Sequence, residues 1–330
     1  MNWPCAALAS APLAGRTTLR VGGQAEWLLE PASPDELREA WQAARDRGWR
    51  PRLLGGGANL VIGDGLLPGV VIATERMNRV FRPMDMGTGK EEFEREAPPG
   101  EVAPPNPADD PRLVAWAGLP LPALVRAMRD LGFSGLEGLA GVPGHLGGGI
   151  AMNAGGRWGE MWSAVETVRL LDAEGEFTDL QASEAQPTYR NGNLGDRIVV
   201  GAILRFEPEP KLVVAQRIRE WIAEKNRVQP VSERSAGCVF KNPDPELSGG
   251  RSAGQLVDQA GLLGMERGEA IISPRHGNFL VNRGNARAAD VIGLLDEVRA
   301  RVAERFGVEL EFEVKRWMGA EPGADGTTLP

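Results

Sequence analysis

The chain is 330 residues long, 42% hydrophobic and 25% charged, the proportions of a globular protein large enough to bury the cores of two or three domains. Its net charge of −8 is concentrated, because residues 82–110 hold eight acids against three bases, so the acidic balance describes that segment and not a binding surface. Basic residues form no stripe interleaved with aromatics, which excludes nucleic-acid recognition, and no run approaches the ~20 apolar residues of a membrane span.

Leu28-Leu29 ends a first strand, and a helix starts at Ser33-Pro34-Asp35-Glu36. Ser33 suits the cap, Pro34 the first helical position, and the two acids complement the helix dipole. Leu37, Ala40, Trp41 and Ala44 make its buried stripe, and Gly48 ends it. Short strands over 51–54, 60–62 and 70–73 complete a β-α-β-β lobe. Residues 82–110, rich in Pro, Glu and Asp, read as a solvated insertion. A strand over 113–116 precedes a helix near 122–131, and strands follow around 165–171 and 198–206. A polar amphipathic helix over 211–225 marks the start of the last unit. That unit is expected to hold a helix near 253–260, a strand over 278–281, a long helix over 288–306 and a strand over 308–314. Val291, Leu294, Leu295, Val298 and Val302 recur at helical spacing along the long helix.

Glycine is over-represented: 43 residues, about twice the usual share of roughly 7%. It gathers in two tracts. Gly55-Gly56-Gly57-Ala58-Asn59 follows a strand and can present bare N–H groups to a pyrophosphate; strand, not helix, comes next, so it is not the dinucleotide fingerprint. The stretch from Gly135 to Gly149, with Pro143, Gly144, His145, Gly147 and Gly148, continues to Asn153-Ala154-Gly155. So much glycine around a proline reads as backbone wrapped against a large flat or phosphorylated ligand.

The two cysteines, Cys5 and Cys238, have neither metal spacing nor a disulfide partner pattern, and no metal is expected. The N-terminus lacks a basic region ahead of an apolar core, so a cytoplasmic protein is expected. Ser235-Ala236-Gly237-Cys238 leads into Val239-Phe240 and closes with Lys241-Asn242-Pro243. A thiol with a cation and an amide three and four residues on suits gripping an anion while delivering a proton to it.

Taken with Thr17-Thr18-Leu19-Arg20-Val21-Gly22-Gly23, these tracts resemble the UDP-N-acetylenolpyruvoylglucosamine reductase family. The resemblance continues in Tyr189-Arg190, in 236–243, in 253–261, in Ser273-Pro274-Arg275-His276-Gly277-Asn278-Phe279 and in 307–314. It implies an α+β protein: an FAD-binding fold of the vanillyl-alcohol-oxidase (PCMH) type in two lobes, then a C-terminal α/β substrate-binding domain. The corresponding boundaries are 1–75 and 76–208 for the lobes, with the insertion 82–110 in the second, 209–320 for the substrate domain and 321–330 for a tail. The short connection between Phe206 and Arg227 resembles the form that lacks a tyrosine-bearing capping loop.

The resemblance further implies that NADPH reduces the flavin and that hydride then passes to C3 of UDP-N-acetylglucosamine enolpyruvate. Gly55, Gly56, Gly57, Ala58, Asn59, Pro143, Gly144, Gly147, Gly148, Asn153 and Ala154 would contact FAD, and His145, where the family has threonine, could touch its phosphates. Arg190 would hold the carboxylate on which charge develops, Glu313 would polarise it, and Cys238 would supply the proton to C2. Tyr189, Arg227, Lys241, Asn242, His276 and Asn278 would contact substrate, and a monomer is expected.

The family usually has serine at Ala58, Gly192 and Cys238. Ala58 loses a hydroxyl, Gly192 is expected to loosen the loop after Arg190, and Cys238 replaces an alcohol donor by a thiol, the stronger acid at a reference pKa near 8.5. Nearby Lys241 could draw that thiol toward thiolate. Two other readings stand beside the reductase: an FAD-dependent oxidase of the same fold, and a flavin- or nucleotide-binding relative without catalysis.

Overall fold

The computed structural model describes residues 1–83 and 110–319. Strand β1 (Ala6–Pro12) and β2 (Gln24–Glu30) are followed by helix α1 (Pro34–Asp46), β3 (Arg52–Leu54), β4 (Leu60–Ile62) and β5 (Leu66–Ala73). The helix begins as its sequence dictates: Glu36 N–H donates to Ser33 Oγ at 3.2 Å, with Pro34 in the first turn. Leu37, Ala40 and Ala44 are buried, whereas Trp41 is half-buried and lies 5.9 Å from the Arg45 guanidinium. One four-stranded sheet runs in the order β1-β2-β5-β3.

Next come β6 (Val80–Phe81), β7 (Arg112–Trp116), helix α2 (Leu121–Leu131), β8 (Phe133–Ser134) and helix α3 (Leu146–Ala151). After these are β9 (Gly155–Gly156), β10 (Gly159–Glu160), β11 (Val165–Leu171), β12 (Phe177–Gln181), β13 (Ile198–Arg205) and β14 (Glu207–Pro208). The expected insertion lies almost wholly outside the described residues, as does the tail. Its two ends are described: Val80 and Phe81 pair with Ala115 and Val114, and Arg82 donates to the Asp110 carbonyl at 2.7 Å.

The remaining elements are helix α4 (Lys211–Val228), β15 (Ser235–Cys238), α5 (Pro245–Ser248), α6 (Ala253–Gln259), β16 (Glu266–Arg267), β17 (Ala270–Ile272), β18 (Phe279–Asn282), α7 (Ala288–Phe306) and β19 (Lys315–Trp317). No helix of the described residues is long and apolar enough to cross a membrane.

Two compact units emerge. The first comprises Met1–Ala6, Leu29–Gly56 and Ile72–Arg227. Its sheet β12-β11-β13-β7-β6 carries α2 and α3 over a core that includes Phe133, Leu146, Ile150 and Leu170. The second comprises Ala7–Leu28, Gly57–Val71 and Val228–Pro330. There β15-β18-β17-β16 packs on α7 through Val291, Leu294, Leu295, Val298 and Val302, all fully buried. The N-terminal turn of α7 is held from a distant loop, because both Asp64 carboxylate oxygens accept from its amides, Ala288 N–H at 2.7 Å and Ala289 N–H at 3.0 Å.

Residues 308–314 do not form the expected strand. Val308, Leu310 and Val314 are buried, so the alternation was a true signal of burial. The ladder is confined to one bridge, Phe240 with Phe312, flanked by Glu313 N–H to the Val239 carbonyl and Lys241 N–H to the Glu311 carbonyl. Regular pairing begins only at β19, which runs parallel to β4.

Candidate active site

In the first unit the glycine tracts pack backbone against backbone. A Cβ on Gly56 would lie 2.7 Å from Gly144 Cα and 2.9 Å from His145 Cδ2, an approach only glycine permits. Gly147 is committed to packing: its N–H donates to the Ala117 carbonyl at 2.8 Å, and a Cβ would lie 3.0 Å from that alanine's methyl. Gly148 is exposed with nothing within 4 Å of its Cβ position, and Gly55 has only His145 Cβ, at 3.9 Å. Pro143 is exposed, and Ala154 N–H donates to the Gly149 carbonyl at 2.7 Å. Burial lowers the pKa of His145, so its ring is neutral, and its buried Nδ1 has no hydrogen-bond partner among the described residues.

The Asn153 side chain is engaged within the protein. Its amide, buried, donates to Glu160 Oε2 at 2.9 Å and to the Thr188 carbonyl at 3.4 Å, and its Oδ1 accepts from Trp162 N–H at 3.3 Å. Those bonds tie the tract to the loop bearing Arg190. That loop turns tightly between Thr188 and Asn191, with Arg190 at φ +58° and its Nη1 donating to the Gly155 carbonyl at 2.8 Å. The Tyr189 ring, 52% exposed, lies 5.3 Å from the Arg190 guanidinium.

Gly192 does not loosen this loop; it clamps it. Its N–H donates to the Ala151 carbonyl at 2.8 Å, and a Cβ would sit 2.3 Å from the Ile150 carbonyl oxygen. Substituting Gly192→Ser, the residue usual at this position, is therefore expected to displace the Arg190 loop and destabilise the protein by about 2 kcal/mol. Thermal unfolding of the flavin-loaded protein measures this, and an unchanged Tm would show that the loop relaxes freely.

Arg227 is exposed on the last turn of α4. The buried cation there is Lys225, which no motif in the sequence marks. Its Nζ donates to the Gly138 and Ala140 carbonyls at 2.5 and 2.8 Å and lies 5.1 Å from the Trp158 ring, while burial pushes its pKa down to about 8. Val214, Ile218 and Lys225 share one helical face, a spacing that marks Lys225 as inward-facing. Beside it, Glu137 accepts from Ser134 Oγ, Gly135 N–H and Arg217. Burial alone would raise that carboxyl, but the Gly135 amide, Ser134 and Arg217 outweigh it and hold it below the ordinary range. The glycine tract thus rests on a charged, fully bonded support.

In the second unit Gly57, at φ +59°, lies against the Arg16–Thr17 backbone, where a Cβ would come within 2.2 Å of the Arg16 carbonyl oxygen. Thr18 Oγ1 can donate to the Ser235 carbonyl at 2.6 Å and to that of Gly57 at 3.3 Å, and so links the first glycine tract to the Cys238 strand. Ala58 is half-buried. Asn59 Nδ2 donates to the Glu313 carbonyl at 3.1 Å, its own carbonyl accepts from Lys315 N–H at 3.0 Å, and its buried Oδ1 has no hydrogen-bond partner among the described residues. Cys238 ends β15 immediately after Gly237, which is at φ +73°. Glu313, 8% exposed, donates its N–H to the carbonyl of Val239, the residue after Cys238, at 2.9 Å. Asn59, Cys238 and Glu313 are thus linked by three short stretches of backbone.

Lys241 is exposed and pairs with Glu311 at 3.1 Å. Asn242 Oδ1 accepts from Ala253 N–H at 3.1 Å and caps α6 beside Ser252. His276 Nδ1 accepts from Asn278 N–H at 3.1 Å, and burial lowers its pKa, so the neutral ring carries its proton on Nε2 as a donor. Asn278 is not placed as a substrate contact. It is 4% exposed, and its Oδ1 and Nδ2 are bonded to the N–H and carbonyl of Phe240 at 2.9 and 2.8 Å.

An FAD fits the residues of the first unit, where Gly55 and Gly148 present bare backbone with room beside it. Comparison with known proteins agrees. Residues 25–94 and 100–181 match an FAD binding domain, and residues 229–317 match the C-terminal domain of UDP-N-acetylenolpyruvoylglucosamine reductase. The chain is 39% identical over 312 residues to the UDP-N-acetylenolpyruvoylglucosamine reductase of Deinococcus radiodurans, covering 93% of this chain and 94% of that one. With the enzyme of that name from Desulfosudis oleivorans it shares 38% identity, covering 92% of each. A crystal structure of UDP-N-acetylenolpyruvylglucosamine reductase from Thermus caldophilus superposes with a TM-score of 0.71 at 35% identity, over 94% of this chain and 98% of that one. With glycine tracts, Arg190 loop and Cys238 strand all inside that full-length match, the chain belongs to the UDP-N-acetylenolpyruvoylglucosamine reductase family.

Proposed function

We propose that this protein is an FAD-containing oxidoreductase that uses NADPH to reduce UDP-N-acetylglucosamine enolpyruvate to UDP-N-acetylmuramate, a step in making peptidoglycan precursors. The observation that carries the reading is the backbone link between the Cys238 strand and buried Glu313, next to the Asn59 end of a glycine tract. Bound FAD supplies the two-electron chemistry, hydride in from NADPH and hydride out to C3 of the enolpyruvyl double bond.

The side chains do the rest. Hydride arrival at C3 drives the π pair onto C2 and its carboxylate. Arg190, a permanent cation with a planar fork, binds that carboxylate and stabilises the charge as it develops. Glu313 polarises the same group. Cys238 transfers its Sγ proton to C2, and the thiolate left behind is reprotonated from solvent, which closes the balance. The open glycines Gly55 and Gly148, with Gly144, Gly57 and Asn59, hold the cofactor, while Tyr189, Arg227, Lys241, Asn242 and His276 face the nucleotide-linked substrate. We place the reaction in the cytoplasm and the enzyme as a monomer.

The purified protein is expected to be yellow, to bleach with NADPH, and to regain its colour anaerobically only when UDP-N-acetylglucosamine enolpyruvate is added. Recolouring by oxygen but not by that substrate would make it an oxidase instead.

A further inference from the structure

We propose that Asn278 is a positioning residue for the Cys238 proton donor, its side-chain amide standing in for a strand partner where the β-ladder fails. The inference rests on the function proposed above. Gly237 is at φ +73°, and the pairing of β15 with β18 shifts register between Ser235 and Cys238. The left-handed residue and the shifted register make the pairing irregular just before the thiol, and although Cys238 itself pairs with Phe279, β15 ends there. From there Asn278 takes over. Its main-chain carbonyl accepts from Val239 N–H at 3.0 Å, its Oδ1 accepts from Phe240 N–H at 2.9 Å, and its Nδ2 donates to the Phe240 carbonyl at 2.8 Å. A carboxamide carries donor and acceptor in one plane, as a peptide does.

The opposite edge of the same stretch is bonded to the Glu313 segment, through Val239 O and Lys241 N–H. Asn278 therefore holds one side of the strand whose other side carries Glu313, and a shift of Phe240 moves both the thiol and the carboxyl. Asn278 is itself fixed, since its N–H donates to His276 Nδ1 and that ring sits edge-on to Phe279 at 4.9 Å. Phe240 is fully buried, so removing the amide strands a peptide N–H and carbonyl away from water.

The test uses flavin-loaded Asn278→Ala and the nearly isosteric Asn278→Asp, which keeps the acceptor and sets a carboxylate against the Phe240 carbonyl. Stopped-flow absorbance separates flavin reduction by NADPH from reoxidation by UDP-N-acetylglucosamine enolpyruvate. Reduction is expected within about twofold of wild type and reoxidation slowed about 30-fold or more. Hydrogen exchange in the peptide spanning residues 237–241 is expected to quicken about tenfold. In a Cys238→Ala background Asn278→Asp should add less than about threefold, because the two residues act as one unit. Full additivity of the two losses, or unchanged reoxidation in Asn278→Asp, would overturn the inference. Wild-type enzyme that the substrate fails to reoxidise would instead overturn the proposed function.

Discussion

Cys238→Ala is expected to slow reoxidation of the reduced flavin by UDP-N-acetylglucosamine enolpyruvate about 10³-fold, the range of a lost general acid, and to leave reduction by NADPH unchanged. C2 must be protonated for the product to form, and a methyl group has no proton to give. Cys238→Ser should keep substantial turnover, since an alcohol at the same strand end can donate. The two donors differ in one respect. A thiol donates only while protonated, so wild-type reoxidation should be full at low pH and lost as pH rises through the thiol's ionisation, whereas the serine variant should show no such loss. The other thiol does not blur the measurement, because burial raises the Cys5 pKa to about 11 and leaves it unreactive near neutrality. An alanine variant that reoxidises at the wild-type rate would remove Cys238 from the chemistry.

Arg190→Lys is expected to lower kcat/KM by about 10²-fold or more, although the charge is retained. Arg190 Nη1 is anchored on the Gly155 carbonyl, with the backbone at φ +58°, and a guanidinium can hold that carbonyl and still present donors to a carboxylate. An ammonium is one compact point charge on a flexible stem and loses the planar fork. Because charge grows on the substrate carboxylate during hydride transfer, the loss should fall on kcat as well as KM. Steady-state kinetics with NADPH saturating distinguish the cases, and a pure KM effect would reduce Arg190 to a binding residue.

Local signals are dependable where local physics decides. Ser33, Pro34 and Glu36 start a helix by their own chemistry, and the apolar spacing from Val291 to Val302 buries one face of α7. The positions proposed to carry the chemistry stand out in the sequence through the motifs, but what their neighbours do does not. Asn153 and Asn278 look like ligand contacts in sequence, yet whether an amide faces a cofactor or another peptide depends on chain more than thirty residues away. Gly192 is a similar case, since its missing side chain makes room for a carbonyl of α3 that the local sequence does not reveal. The stretch 308–314 has a strand's alternation without a strand's partner. Lys225 escaped notice because a cation on a buried stripe is rare, and the carbonyls that satisfy it lie 85 and 87 residues away.

The parallel pairing of Lys315–Trp317 with Leu60–Ile62 bears on how the protein is born. On the ribosome, β4 waits for a partner until about 250 further residues have been made, and the bond from Asn59 to Glu313 must wait with it. Meanwhile the first unit can already collect Val80, Arg112–Trp116 and Ile198–Arg205 into its sheet. Assembly of the second unit is thus an act of the nearly finished chain, and the residues proposed to deliver a proton are among the last to find their places.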